Sequence, residues 1–242
     1  MSTLKARNIE PATGTDVALG ASGDTVTVSG DSLTLDTFKD SGGNTLFTSN
    51  GSGTLSSVNS ALKGYGPILI SSQTASSSST VEFTSGIDST YDKYMFVFVN
   101  IHPGTDNADF TFQGSTNGGS SYGVTMTTTF FWSYHQESDA NQGVEYHASS
   151  DQAQGTAYQK LIHEAGNDSD QCCVGNLMLY NPANTTYVKN FKSRLSNASR
   201  DDKAYDHFTS GYFNTTTAIN AISFKMSSGN IDDGIIKMYG IA

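Results

Sequence analysis

The sequence predicts an all-β protein, in which a short-strand N-terminal shaft is followed by a jelly-roll-like antiparallel β-sandwich. Three observations predict it. Apolar residues alternate with polar ones at period two along much of the 242 residues, as half-buried strands require. Clusters of Gly, Ser, Asn and Asp punctuate that alternation, and these residues make turns. Aromatics, 11% of the chain, fall almost entirely after residue 80, so only that part carries the bulky side chains of a core.

Residues 1–14, "MSTLKARNIEPATG", combine Leu4 and Ile9 with Lys5 and Arg7 in a chain of net charge −10. They are read as a docking peptide for an acidic surface, the alternative being a frayed terminus. The stretch lacks the apolar core of a signal peptide. No run reaches the ~18 apolar residues of a membrane span; the longest, "YMFVFV" at 94–99, has strand length.

Residues 15–63 hold three apolar-x-apolar units, Val17/Leu19, Val26/Val28 and Leu33/Leu35, separated by glycines, serines and aspartates. Each buried Val or Leu contributes about 1.5–3 kcal/mol. Ordering each residue costs roughly 1–2 kcal/mol of backbone entropy. With so few apolar residues per unit, a lone copy cannot offset that cost. Either the segment is disordered, or copies pool their narrow apolar stripes around a shared axis and seal one another's sheet edges. Strict apolar-x-apolar units would be superfluous in a tether, so association is expected, and three chains suit a slim stripe better than two. "SSVNSALKG" (56–64) is the one place that could form a helical turn.

Residues 64–80, with "GYGP" and "ASSSS", read as a linker. Beyond it, longer strands are expected at 81–84, 93–101, 108–114, 122–135, 172–180, 186–195, 204–213, 218–226 and 234–241. The turns between them are "HPGTDN", "STNGGSS", "NPANT" and "SSGNIDDG". Eight or nine such strands make a sandwich of residues 81–242. The polar stretch 136–171 is either a long surface loop or holds short strands or a helix with weak signals.

Composition narrows the partners. A pI near 4.7 repels phosphate backbones, and no cluster of Lys and Arg offsets it, so nucleic acid is not an expected partner. The two cysteines, Cys172 and Cys173, are adjacent and fit neither metal-ligand nor redox spacing. On a strand they would point to opposite faces as two small apolar groups.

The residues "MSTLKARNIEPATGTDVALGASGDTVTVSGDSLTL" resemble the N-terminal region of virion structural proteins from tailed bacteriophages, marine phages in particular. Those begin with a basic-apolar leader, then "PATGT", then "LGASGDT" and repeated β units. The likeness is close over residues 1–36 and weaker to about residue 60. The ending "GIIKMYGIA" (234–242) is similar to the close of β-sandwich domains in fibre and decoration proteins of that class. The resemblance implies a protein of the virion surface, attached by its N-terminus to tail or capsid proteins, with a trimeric shaft and a trimeric head. At 242 residues the chain is short for a long tail fibre. A short fibre, a fibre-tip component and a head-decoration spike all stay open.

Some phage appendages degrade surface polysaccharide, and that chemistry would need a recognisable set of residues. Glycoside hydrolysis needs two carboxylates held roughly 5–9.5 Å apart. The acids cluster in "ESD", "EAGNDSD", "SRDDKAYD" and "NIDDG", all in turn-like settings. Histidines 102, 135, 147, 163 and 207 form neither HxH nor HExxH, and no calcium-loop or GxSxG pattern occurs. No catalytic residue, metal or cofactor is therefore expected. "FFWSYH" (130–135) is the one concentration of aromatics, with the sole tryptophan. On a strand Phe130, Trp132 and Tyr134 share one face, and Phe131, Ser133 and His135 the other. Exposed, Trp132 and Tyr134 would stack on sugar rings of a host-surface glycan; buried, they would serve core or subunit interface. The expectation is a non-enzymatic homotrimeric fibre or spike whose head meets the host surface. A capsid-decoration protein, a polysaccharide depolymerase and a secreted lectin are the alternatives.

Overall fold

The computed structural model describes residues 37–40, 42–49, 55–56 and 66–241. The docking residues Leu4, Lys5, Arg7 and Ile9 lie outside these, as do the stripe residues Val17, Leu19, Val26, Val28, Leu33 and Leu35. The described residues fall into two compact units, one within 1–63 and one within 64–242.

In the first unit, β1 (Thr37–Lys39), β2 (Thr45–Ser49) and β3 (Leu55–Ser56) form an antiparallel meander. The "DSGGN" signal is its first turn. Asp40 Oδ1 accepts hydrogen bonds from the backbone N–H of Gly42 and Asn44, and Gly43 supplies the positive φ, 81°, that the tight reversal requires. The Asn44 side-chain amide, which also donates to this carboxylate, and then these backbone bonds hold the Asp40 carboxyl below its ordinary range. Phe38 pairs with Phe47 across the hairpin, their rings stacked at 5.3 Å.

The second unit is a sandwich of two antiparallel sheets of unequal width. Its strands are β4 (Ile68–Ser78), β5 (Val81–Phe83), β6 (Lys93–Pro103), β7 (Ala108–Ser115), β8 (Met126–Gln136), β9 (Gln142–Tyr146), β10 (Ala153–Gly155), β11 (Gln159–Ala165), β12 (Cys173–Tyr180), β13 (Lys189–Ala198), β14 (Lys203–Phe213), β15 (Ala221–Met226) and β16 (Ile231–Ile241). The large sheet runs β10-β8-β14-β13-β12-β6-β16-β4, with β9 pairing on β8; the small sheet runs β11-β7-β15-β5. No helix occurs among the described residues.

One expectation is corrected and one open alternative is decided by the strand pairing. Residues 64–80 are not a linker throughout, because β4 occupies 68–78 and pairs along β16 from Ile231↔Ser78 to Gly240↔Ile68. The serines that read as a breaker sit on a sheet edge, where pairing with a neighbour outweighs intrinsic preference. Of the alternatives for 136–171, short strands are what it holds: β9 and β10 extend the large sheet at β8, and β11 forms an edge of the small one.

The core lies between the sheets and is built from phenylalanines. Phe224 of β15 stands at its centre, with Phe96 at 5.4 Å, Phe98 at 5.2 Å, Phe110 at 5.9 Å and Phe83 at 6.3 Å, mostly edge to face. Such rings bury about 150–250 Å² each and gain further from that geometry. Two glycines explain the closing "GIIKMYG". Gly234 has φ 128° at a bulge between β16 and β6, and a Cβ there would meet Asn100 O at 2.8 Å. Gly240 lies against the ring of Tyr91, which leaves no room for a side chain.

Candidate functional site

The small sheet covers one face of the large sheet, and that difference decides the fate of every residue in "FFWSYH". Strand β8 alternates buried and exposed positions from Met126 to Trp132. Phe130 and Trp132 point inward and form a satellite core with Tyr205, against which Tyr134 packs. Trp132 is only 4% exposed. Its indole stacks on His163 at 5.2 Å and lies 4.4 Å from the ring of His147. The ring of Trp132 is therefore closed off by β11 and the turn after β9, and it cannot stack on an external sugar. Tyr134 is half-buried; its hydroxyl donates to Glu145 Oε1 at 3.1 Å, and Lys203 Nζ stands 5.7 Å from its ring. Of the two readings of this aromatic pair, the buried one holds, since Trp132 and Tyr134 belong to the interior side of the strand.

Behind Trp132 lies an ionic cluster that joins β7, β11 and β14. Asp109 Oδ1 bonds His163 Nδ1 at 2.9 Å, and its Oδ2 pairs with Lys160 Nζ at 2.8 Å. Burial alone would raise the Asp109 carboxyl. The hydrogen bonds from His163 and Lys160, the Lys160 charge and the Glu164 N–H overcome it and bring the value to about 2. His207 is wholly buried; desolvation, with repulsion from His163, lowers it to about 3 despite the opposing pull of Asp109. Its Nε2 accepts from the His163 N–H at 3.4 Å, while its Nδ1 and the Trp132 Nε1 have no hydrogen-bond partner among the described residues. The ion pairs thus tie the neighbouring strands β7 and β11 of the small sheet, and the His163 N–H bonded to the neutral His207 ring links that cluster to the large sheet. Among the described residues no three His, Cys, Asp or Glu side chains are placed to hold a metal ion.

The adjacent cysteines part as their spacing implies. Cys173 is buried at the start of β12, where desolvation pushes its thiol up. Cys172 is half-buried, its Sγ 3.9 Å from Asn100 Oδ1.

The opposite face of the same strands is uncovered. Phe131 is 37% exposed and stacks on Phe208 of β14 at 4.8 Å, with the two rings within 4° of parallel. The guanidinium of Arg194 lies 5.0 Å from the Phe208 ring and holds Asp206 through Nε and Nη2 at 2.6–3.0 Å. Sheet register explains the grouping, because Tyr146, Phe131, Phe208, Arg194 and Asn176 sit side by side across β9, β8, β14, β13 and β12. Next to this row lies Lys192, whose Nζ is 5.7 Å from the Tyr180 ring. A hollow of about 340 Å³ opens between Phe131, Phe208, Lys192, Arg194 and Asn176.

None of these outward residues stands out by motif. The signal was the alternation in "KNFKSRLSNA", which buries Phe191 and Leu195 and so turns Lys192 and Arg194 to the other side. Comparison of the chain with protein-family models, with characterised proteins and with solved structures finds no match in any of the three.

Proposed function

We propose that the chain is a non-enzymatic surface appendage of a tailed-phage virion. In this reading it is a homotrimeric fibre or spike, docked through residues 1–14 and displaying the sandwich within residues 64–242 as a head. The observation that carries the display reading is the open face of the large sheet, where Phe131, Tyr146, Val144 and Val174 stand in solvent although the central strands pack their opposite face against the small sheet. Contiguous exposed apolar surface with a polar surround marks a place of contact. The resemblance of residues 1–36 to phage structural proteins supports the attachment end, and the thin apolar stripes of residues 17–35 support association.

Light scattering on the full chain tests the assembly: the expected mass is three times 25.7 kDa, and a stable monomer overturns the trimer. Gold-labelled antibody against the chain tests the location on particles made from the genome that encodes it. Label at the tail supports a fibre, label over the capsid supports a decoration protein, and particles without label overturn the appendage reading. Incubation with host-cell polysaccharide is expected to release no new reducing ends; sustained release would make the chain a depolymerase.

A further inference from the structure

We infer that the open face of the large sheet binds an acidic polysaccharide, one whose sugars carry carboxylates, with Lys192 as the charge anchor and the Phe131–Phe208 stack as the sugar platform. The inference rests on the reading of this unit as a displayed head and names what that head meets.

Charge is the first ground. The chain carries −10, yet this face has the opposite sign. The outward rows that run through Phe131, Thr129, Thr127 and Ser133 of β8 hold Lys93, Lys192, Arg194 and Lys237, against one carboxylate, Asp206. Asp206 is engaged by Arg194. Among the described residues Lys192 makes no ion pair, and its Nζ stands over the Tyr180 ring. An acidic protein that gathers lone cations on one solvated face presents that face to an anion.

Shape is the second. The hollow of about 340 Å³ beside Phe131 and Phe208 adjoins another of about 500 Å³ lined by Tyr180, Tyr212 and Asn190. Lys192 and Ser210 line both. Two hollows of ligand size on either side of one lysine suit a polymer of small repeating units better than the broad contact of a second folded copy. The apolar C–H face of a pyranose packs on an aromatic face. The hydroxyl of Ser210 and the amide of Asn176 lie on the same wall and offer hydrogen bonds to sugar hydroxyls. A carboxylate on the bridging sugar would then meet Lys192. A nucleic acid fits less well, since a phosphate backbone calls for a cation at each nucleotide step, whereas among the described residues Lys192 is the one cation that borders both hollows.

Isothermal titration of the full chain with tetragalacturonate tests the inference, with galactotetraose as the neutral partner and an oligonucleotide of matched charge. The expected result is binding of the acidic tetramer only. Lys192→Gln should weaken it by roughly tenfold or more, the scale of a lost hydrogen bond to a charged group, and Phe131→Ala should also weaken it. Lys192 is exposed on its strand, so its variant keeps the fold and carries the test alone should Phe131→Ala unfold. Equal binding of the neutral tetramer, equal binding of the oligonucleotide, no binding of the acidic tetramer, or binding indifferent to Lys192→Gln would each overturn the inference. Incorporation of the chain into particles is read separately by the antibody label, so a failed ligand and a failed head reading give different results.

Discussion

Strands β8 and β14 carry two environments one residue apart. Phe130, Trp132 and His207 face the small sheet, where aromatic and imidazole rings meet at steep or tilted angles and close out water. Phe131 and Phe208, the very next residues, face solvent as a flat parallel pair with a guanidinium above. Residue type does not separate the two groups, since phenylalanine serves both. The second sheet does: it covers one side of the large sheet and leaves the other bare. An aromatic strand is thus a core element and a candidate platform at once.

The largest effect that could break this comparison is in stability. Trp132→Ala should cost about 3–5 kcal/mol, the range for a large buried aromatic. Phe131→Ala should cost no more than about 1 kcal/mol, because it loses a cross-strand pair without opening a cavity. Urea midpoints measured at one protein concentration give both numbers, the fixed concentration being needed if the chain associates. A Phe131→Ala variant as damaged as Trp132→Ala would mean that the outer face is covered in solution.

Acid should separate the faces next. His207 is held neutral, its value lowered from 6.5 to about 3 by burial, so between those values the unfolded chain binds the proton that the folded one refuses. Stability is then full above pH 6.5 and falls as pH drops toward 3. The loss should be about 2 kcal/mol by pH 5 from this group alone. His147, also lowered by burial, adds to the same window with the same sign. Asp109, lowered from 3.8 to about 2, withdraws its contribution only below pH 3.8. Thermal unfolding of His207→Gln should show a shallower slope between pH 6.5 and about 3 and an unchanged one below. An unaltered slope would place the imidazole in water.

How much of this was legible is clearest at particular residues. The strands around Phe110/Phe112 and Ile222/Phe224/Met226 could be read because alternation and turn signals agree there, and local agreement is what makes a pattern decisive. The edge strand β4 could not, since "SSQTASSS" owes its conformation to pairing with β16, a partner some 160 residues away in the chain. Buried amides were hidden for a similar reason. Gln113 bonds the carbonyls of Thr156 and Ala157, and Gln159 takes the Thr128 hydroxyl and reaches Ser150 O. Both tie the 147–158 segment to the sandwich through contacts that no local period encodes. For "FFWSYH" the two faces were legible but not their sense. Alternation assigns residues to sides, and only the placement of β11 says which side is inside.

Strand β13 offers a sharper version of the comparison with a single residue type. Lys189 is fully buried, its ammonium donating to the carbonyls of Tyr187, Thr215 and Thr216, and desolvation lowers its pKa. Lys192, three residues on, is exposed. Lys189→Met leaves those acceptors without their donor and should cost about 1–3 kcal/mol. Lys192→Met should change stability by no more than about 0.5 kcal/mol. Urea denaturation of both variants checks the difference. Equal effects would mean that Lys192 has a partner in the assembled protein.

The smallest expected effect is the most discriminating for the open face. Phe131 and Phe208 are directly opposed in the register, so a double-mutant cycle of Phe131→Ala and Phe208→Ala isolates their mutual contribution. A solvated cross-strand aromatic pair should couple by roughly 0.2–1 kcal/mol, and urea titration of the four proteins measures it. Coupling in that range means the stack forms in water without help, ready as a flat platform before any ligand arrives. Coupling near zero would mean the rings hold their places independently and the platform is assembled only on contact. Coupling well above 1 kcal/mol requires the pair to be desolvated, because rings gain that much only when water is excluded around them. In that case another surface, a second copy of the chain foremost, already occupies the face, and the carbohydrate assignment would give way to an assembly interface.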